Sequence, residues 1–236
     1  ASFSLEKSTL MTTGTSIIFH GIGTPERVLE PGEAPYWLSV SQFEYALDRI
    51  AQAPDPDHFT ITFADGNLSD YSIALPALAA RNLRGRFFVL TDRIGQVGSL
   101  DVEHLHTLRD AGMTIGSHGI GHTVWPTLDD AALTEELCAS RAQLEKICGH
   151  PVTEAGIPFG RYDARVLRAL RDAGYTAAWS SDGGNWRANN FLRPRTSLRG
   201  DMSTHEMGAT LSGQMPPLRR LRRALGMSRR RWMTTG

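Results

Sequence analysis

The feature that most constrains the fold of this 236-residue chain is a regular alternation of short apolar β-type runs with helix-type patterns. The predicted strands are Ser16–His20, Phe59–Phe63, Arg86–Val89, Thr114–Ser117, Glu154–Ile157 and Ala177–Trp179. The predicted helices are Gln42–Gln52, Tyr71–Leu83, Val102–Ala111, Asp129–Ile147, Ala164–Ala173 and Leu218–Leu225. Alternating βα units predict a parallel sheet covered by helices, either a barrel or a doubly wound sheet.

Two helix starts carry a further signal. Ser41 with Glu44, and Thr127 with Asp130, have the spacing of a capping box. These pairs support the predicted starts of the helices Gln42–Gln52 and Asp129–Ile147.

The composition is that of an ordinary globular protein, with 41% hydrophobic and 21% charged residues. The length suits one large α/β domain. No apolar run approaches the roughly 18 residues of a membrane-spanning helix, and the first residues lack the basic flank and apolar centre of a secretory leader. Cys138 and Cys148 would lie about 15 Å apart along one helix, too far for a disulfide. We expect a cytoplasmic protein, with secretion after removal of a leader left open.

Charge is unevenly distributed, although the net charge is zero. Residues 218–236 contain seven arginines and no acidic residue; subtracting these seven from the 25 basic residues leaves 18 against 25 acidic ones. Leu218–Leu225 predicts a basic amphipathic helix, which suits peripheral contact with an anionic membrane or an acidic partner. A solvated tail is the alternative. No recognition motif accompanies the arginines, so no nucleic-acid partner is expected.

Chemically reactive side chains follow the predicted strands, where parallel α/β folds place their active sites. Asp65 follows the second strand, and His118 follows the fourth. His118 and His122 are spaced i, i+4, which directs both imidazoles to one side of a helical turn or tight loop. Two histidines and one carboxylate leave coordination positions open, as in a catalytic Zn²⁺ site. Non-haem iron oxygenases use the same donors, but the parallel α/β order and the Pro-Phe-Gly loop argue against that alternative.

Four segments carry a resemblance to a known family. Thr62–Gly66 reads Thr-Phe-Ala-Asp-Gly, and Ser117–His122 contains the paired histidines. Pro158–Asp163 reads Pro-Phe-Gly-Arg-Tyr-Asp, and Asp182–Trp186 reads Asp-Gly-Gly-Asn-Trp. In order and spacing, over about residues 58–195, these segments resemble the four motifs of the NodB-type polysaccharide deacetylases, carbohydrate esterase family 4.

The resemblance implies a distorted (β/α) barrel in a single domain, and hydrolysis of an N-acetyl group on an N-acetylhexosamine of a polysaccharide or its precursor. It implies a divalent metal on Asp65, His118 and His122, with Zn²⁺ first and Co²⁺, Ni²⁺ or Mn²⁺ as alternatives. A backbone N–H near Phe159 is expected to hold the oxyanion. The substrate-binding residues expected from the third and fourth motifs are Pro158, Phe159, Gly160, Arg161, Tyr162, Asp182 and Trp186.

The sequence departs from the family pattern around the general base. Ala64 replaces the aspartate that serves as this base, and the reaction rate is expected to be about 10²–10⁴-fold lower without it. The arginine that orients the base would fall at Gly156 and is absent. His20 and His205 are the candidates for the general acid. Ala64 allows two interpretations. The chain is either an enzyme with one altered residue, which includes an engineered inactive variant, or a carbohydrate-binding pseudo-enzyme on the same fold.

Loop aromatics are candidates for stacking on sugar rings. Trp37, Trp125 and Trp186 are expected to line a glycan cleft, with partly buried loop aromatics as the alternative. Asp182 either tunes a general acid or caps a turn. Residues 1–57 are expected to form a strand, a Gly/Pro-rich loop and a helix joined to the barrel. Residues 58–215 are expected to form the deacetylase core and 216–236 the basic tail.

Overall fold

The computed structural model describes residues 13–212 and 217–232. Its strands are β1 (Thr13–Phe19), β2 (Gly21–Ile22), β3 (Trp37–Leu38), β4 (Phe59–Asp65), β5 (Gly85–Val89), β6 (Thr114–Ser117), β7 (Glu154–Gly156), β8 (Ala177–Ser180), β9 (Asn185–Arg187), β10 (Leu192–Pro194) and β11 (Thr196–Ser197). Its α-helices are α1 (Val40–Ala51), α2 (Leu75–Ala80), α3 (Val102–Asp110), α4 (Asp130–Cys148), α5 (Ala164–Asp172), α6 (Thr204–Leu211) and α7 (Pro217–Trp232). The two cysteines lie in α4 and are unpaired, as predicted.

The main sheet is parallel and nearly closes into a barrel. Its strands follow the order β10-β8-β7-β6-β5-β4-β1-β11, and β9 pairs antiparallel with β1. Only Arg195 separates β10 from β11, yet β10 pairs with β8 and β11 pairs with β1. One short stretch of chain therefore joins the two ends of the sheet. The predicted distorted (β/α) barrel in a single domain is confirmed.

The two faces of the strands have different neighbours because successive strand residues point to opposite sides. On the outer face, Phe19 and Phe63 belong to the main apolar core beneath the helices. Phe63 stacks on Phe87 of the next strand, with ring centroids 4.4 Å apart. Thr62 and Ala64 occupy the alternate positions of β4 and are buried on the inner side of the barrel. The sheet thus separates the apolar core from the inner space in which a site can form.

Both predicted capping boxes are wrong. α1 begins after Ser39, whose N–H donates to Gln42 Oε1 at 2.9 Å, while Gln42 N–H donates to Ser39 Oγ. Ser41 already lies in the first turn of α1 and cannot cap it. α4 begins after Asp129, because Thr127 belongs to a preceding 3₁₀ turn.

The predicted helix Tyr71–Leu83 is divided. A π-helical turn spans Asp70–Ala74, and α2 ends at Ala80. Pro76 supplies the reason, since proline lacks an N–H and its ring clashes with the carbonyl four residues earlier in a regular α-helix. The wider turn, closed by a bond from Leu75 N–H to Asp70 O, avoids that clash.

The C-terminal helix is longer than the predicted Leu218–Leu225 and is packed against the barrel. Met227 is 7% exposed and belongs to an apolar cluster with residues of α5. Arg230 forms an ion pair with Asp182. The alternative of a solvated tail is therefore wrong for this part of α7. Within the described ranges, every helix is too short or too polar to cross a membrane.

Candidate metal centre

Three potential metal ligands converge at the carboxyl ends of β4 and β6. Asp65 is the last residue of β4, His118 directly follows β6, and His122 lies in the loop beyond. One ligand atom from each side chain lies within 4.8 Å of the other two. Asp65 and His118 are buried and His122 is partly buried. The structure therefore brings together the three residues that the sequence singled out.

The backbone at this site is held in unusual conformations. Asp65 has a φ of 77° and His122 a φ of 43°, and Phe159, which stacks on His122, has a φ of 55°. Non-glycine residues rarely adopt such angles, and a left-handed residue costs about 1–2 kcal/mol. These three side chains thus owe their direction to local strain that the surrounding barrel sustains.

Hydrogen bonds fix the protonation of both histidines. His118 Nδ1 lies 2.8 Å from Gly156 O, which can only accept, so Nδ1 carries the hydrogen. His122 Nδ1 lies 2.7 Å from Glu30 Oε2 and donates to that carboxylate. In the neutral tautomer that each of these hydrogen bonds selects, Nε2 presents a lone pair. These lone pairs face Asp65 Oδ1, at 3.3 Å from His118 and 3.6 Å from His122.

The donor set fits a divalent metal. Asp65 Oδ1 is buried and has no hydrogen-bond donor of adequate geometry in the described part of the chain. Burial lowers the pKa of His118, which favours its neutral, ligating form. Burial raises the pKa of Asp65, whereas a hydrogen bond from His118 and the charge of the neighbouring histidines, when these are protonated, hold that pKa well below its usual range; a bound cation would replace this charge when the histidines are neutral. Three converging lone pairs with no proton between them are satisfied by a cation, and this is how metal-binding histidines are usually oriented.

Glu30, a loop residue that the sequence did not indicate, holds His122 in position. Glu30 lies in the loop between β2 and β3, accepts the His122 hydrogen bond and forms an ion pair with Arg93. Arg27 anchors the same loop by pairing with Glu33 and donating to Asn67 Oδ1 at 2.9 Å. Glu30 is 92 residues from its histidine. Only the folded loop reveals the contact, since no local motif signals it.

A single cavity collects most of the candidate residues. It has a volume of about 560 Å³. The expected site residues that line it are His20, Ala64, Asp65, His118, His122, Phe159, Gly160, Arg161 and Asp182. The cavity opens at the carboxyl ends of the strands, as expected for a parallel barrel.

The region around Ala64, where the resemblance places the general base, contains an arginine that the sequence did not indicate. Ala64 lines the cavity immediately before Asp65. At position 156 an added Cβ would lie 2.8 Å from Phe88 Cγ and 3.0 Å from His118 Nδ1, so glycine is needed there. Arg195 covers the same phenylalanine ring, with its guanidinium carbon 4.9 Å from the ring centroid. Arg195, at the junction of β10 and β11, therefore contacts the same phenylalanine ring that a side chain at position 156 would meet.

His20 is the better placed of the two candidates for a general acid. It lines the cavity, and its Nδ1 is buried without a hydrogen-bond partner in the described structure. Burial lowers the pKa of His20 to about 4, which keeps the metal-free ring neutral near pH 7. His205 lies exposed on α6 and is not among the residues that line the cavity.

Part of the expected third and fourth motifs serves to build the rim. Pro158 and Tyr162 are buried beside the cavity. Tyr162 donates to Asp182 Oδ2 at 2.8 Å, and Ser180 Oγ donates to the same oxygen at 2.6 Å. Burial raises the pKa of Tyr162 to about 12, so its phenol remains a donor at neutral pH. Asp182 therefore ties β8, the third-motif loop and α7 together.

The expectation that three tryptophans line the cleft is not met by their positions. Trp37 packs against Gly21, and its Nε1 donates to Glu33 at 3.4 Å. Trp186 contacts Trp179, with ring centroids 6.0 Å apart, and Trp125 is fully buried. None of the three is among the residues that line the cavity, and Trp37 and Trp186 fit the alternative of partly buried loop aromatics. Tyr36 and Phe159 are the aromatic side chains that line the cavity.

A nearly closed parallel barrel with an Asp-His-His donor set at the carboxyl ends of its strands defines a polysaccharide deacetylase architecture. The profile of the polysaccharide deacetylase family matches residues 51–178. This match covers more than half of the chain, and the chain belongs to that family.

Relatives support the assignment over the same region. The chain is 27% identical over 124 residues to YxkH of Bacillus subtilis, covering 52% of this chain and 44% of that protein. It is 31% identical over 121 residues to a chitin deacetylase of Pestalotiopsis sp., covering 51% of this chain and 40% of the relative. The matched segment thus spans less than half the length of either curated relative.

Solved structures share the fold. The Streptococcus pyogenes deacetylase PplD, solved in complex with acetate, has a TM-score of 0.72 at 18% identity and covers 87% of this chain and 100% of its own. IcaB from Ammonifex degensii has a TM-score of 0.68 at 19% identity and covers 84% of this chain and 96% of its own. At such identities the likeness concerns the fold alone.

Proposed function

We propose that this protein hydrolyses the N-acetyl group of an N-acetylhexosamine in a polysaccharide or its precursor, using a divalent metal held by Asp65, His118 and His122. The observation that carries the proposal is the convergence of three lone pairs at the floor of the cavity. Membership of the polysaccharide deacetylase family supports the reaction class. Zn²⁺ is the proposed metal because two histidines and one carboxylate suit it, with Co²⁺, Ni²⁺ and Mn²⁺ as alternatives.

The other steps of catalysis are assigned to further residues that line the cavity. When bound, the metal supplies Lewis acidity toward the acetyl carbonyl and acidifies water. Phe159 is proposed to present its backbone N–H to the developing oxyanion and its ring to the sugar, since that ring is 51% exposed at the cavity. His20, which burial keeps neutral near pH 7, is proposed to accept the proton released by the attacking water and then to donate it to the leaving amine. Arg161 and Tyr36 are proposed to contact the glycan at the rim.

Ala64 is the reason to expect weak turnover in this chain. Its methyl group cannot accept a proton, so the reaction lacks the carboxylate that the family uses as its base. Ala64→Asp should raise the rate of acetate release from N-acetylglucosamine oligomers by about 10²–10⁴-fold in the Zn²⁺- or Co²⁺-loaded protein. Absence of release from any acetylated sugar, with metal bound, would count against the proposal.

Ala64 also favours a second candidate, a non-catalytic carbohydrate-binding protein on the same fold. This candidate predicts that N-acetylglucosamine oligomers bind equally to the wild-type chain and to Ala64→Asp, and that neither releases acetate. Binding measured beside acetate release therefore separates the two functions.

We further propose that α7 places the protein at an anionic membrane surface. Leu225 and Trp232 are 64% and 83% exposed and, seven residues apart, share one face of the helix, with Arg229 exposed beside them. Leu225→Ser with Trp232→Ser should reduce binding to phosphatidylserine vesicles without disturbing the buried Met227. Unchanged vesicle binding would refute this location.

A further inference from the structure

The cavity is lined by a buried cation, Arg195, that makes no direct ion pair with a carboxylate in the described part of the chain. Arg195 is 1% exposed. Its Nε donates to Ser180 O at 3.2 Å, one terminal nitrogen donates to Thr62 Oγ1 at 3.3 Å, and the other to Trp179 O at 3.4 Å. All three partners are neutral. Among the described residues, no Asp or Glu oxygen lies within ion-pairing distance of this guanidinium.

The charge of Arg195 acts directly on the candidate metal centre. Burial lowers the pKa of Arg195 to about 9, and the nearby Asp65 opposes that shift. The same guanidinium lowers the pKa values of His20 and His118. Arg195 lines the same cavity as His20, Asp65 and His118, so its positive charge lies near the donor set. A buried charge is normally paired, because its desolvation is otherwise uncompensated.

The cavity that Arg195 lines is left open at position 64. Thr62, which accepts a hydrogen bond from the guanidinium, and Ala64 lie two residues apart on the same face of β4, about 7 Å apart along the strand. Ala64 and Arg195 line the same cavity, so a longer side chain at position 64 would enter the space that the guanidinium borders. Alanine places only a methyl group there. The guanidinium is therefore present without a carboxylate at position 64.

We propose that Arg195 and the space over Ala64 form a carboxylate-binding site that is completed by an external anion. The anion is the carboxylate of a small acid such as acetate, or of an acidic sugar such as a uronate. A guanidinium suits this ligand because its planar donors can form paired, charge-assisted hydrogen bonds with a carboxylate. The site lies in the same cavity as the metal ligands but does not depend on deacetylase activity.

NMR titration of the full chain, stripped of metal by a chelator, tests the site without a contribution from the metal. The ligands are acetate, glucuronate and the neutral acetamide, in a buffer free of other carboxylates. We expect acetate or glucuronate to bind at least about tenfold more tightly than acetamide, because hydrogen bonds to charged groups are the stronger class. Preference for acetate identifies a small-acid site, and preference for glucuronate identifies an acidic-sugar site.

A matched pair of variants separates charge from bulk. Ala64→Asp supplies an internal counter-ion and should weaken carboxylate binding about tenfold or more, whereas the isosteric Ala64→Asn should keep it within about threefold. Arg195→Met should abolish the preference over acetamide; if that variant fails to fold, the pair at position 64 still decides. Equal binding of acetate and acetamide, or equal losses in the two position-64 variants, would overturn the proposal. Neither outcome bears on acetate release by the metal-loaded protein.

Discussion

At the scale of single residues, the metal ligands depend on groups that orient them. Glu30 holds His122 in the form that presents Nε2 to Asp65, and Gly156 O does the same for His118. Glu30→Ala should lower the affinity for Zn²⁺ by about 10–100-fold, the usual effect of losing such a partner. Competition with a chromophoric chelator measures it. Glu26→Ala, an exposed residue of the same loop, is the control and should leave the affinity unchanged.

His20 gives a prediction about pH. Burial lowers its pKa from 6.5 to about 4, so the unfolded chain binds this proton first as the pH falls. The free energy of unfolding should therefore be unaffected by His20 above pH 6.5 and decrease between pH 6.5 and 4, by up to about 1.4 kcal/mol per pH unit. Urea denaturation of the metal-free protein and of His20→Asn at several pH values measures the difference. Parallel pH profiles for the two proteins would contradict the assignment.

The sequence predicts the residues of the site only where the signal is local. Asp65 stands out because it ends a strand, and His118 and His122 because of their spacing. Glu30 and Arg195 carry no such signal, since the first lies in a Gly/Pro-rich loop and the second in a short break between two strands. Their contacts are created by closure of the barrel, which brings together segments far apart in the chain.

At the scale of elements, the third-motif turn is constrained by close packing. Gly160 has a φ of 63°, and an added Cβ would lie 1.9 Å from Ser181 Oγ. Gly32 has a φ of 84° but faces open space. Both substitutions to alanine incur backbone strain of about 1–2 kcal/mol. Gly160→Ala should lower the free energy of unfolding by about 1–3 kcal/mol more than Gly32→Ala does, because the added methyl group overpacks the turn. Thermal or urea unfolding measures this difference. Equal losses would show that the contact with Ser181 is unimportant.

The attachment of α7 gives a second prediction at this scale. Arg230 pairs with Asp182 at the cavity rim, whereas its neighbour Arg229 is exposed. Arg230→Ala should accelerate proteolysis or hydrogen exchange within Pro217–Trp232, and Arg229→Ala should not. The buried Met227 continues to hold the helix, so we expect partial release. Identical exchange in both variants would indicate that the ion pair does not hold α7.

The sequence predicts most elements of the fold but fewer of their boundaries. Apolar periodicity predicts the helices and strands that form the outer core, because the apolar positions of each element are the ones that pack there. It misplaces the starts of α1 and α4, because several Ser, Thr and Asp residues near each start can cap and only tertiary position selects Ser39 and Asp129. It leaves the position of the tryptophans open, because the pattern does not distinguish a loop aromatic that packs inward from one that faces a ligand.

At the scale of the whole molecule, the barrel creates the cavity by joining its two sheet ends through Leu192–Ser197. This closure brings Arg195 beside the strand ends that carry Asp65 and His118. A chain that folds in this way exposes one concave face where the metal ligands, the vacant base position and the rim aromatics meet. The chain thus has the family fold, while position 64, the proposed place of the base, has no carboxylate.

The central claim is that Asp65, His118 and His122 together hold one divalent metal. Zinc titration of the chelator-treated protein, with metal content measured after dialysis, tests it most directly. We expect one Zn²⁺ per wild-type chain, one in the control His150→Ala, whose imidazole is exposed, and none retained in His118→Ala or His122→Ala. One equivalent retained in either ligand variant, or none in the wild-type protein, would contradict the account.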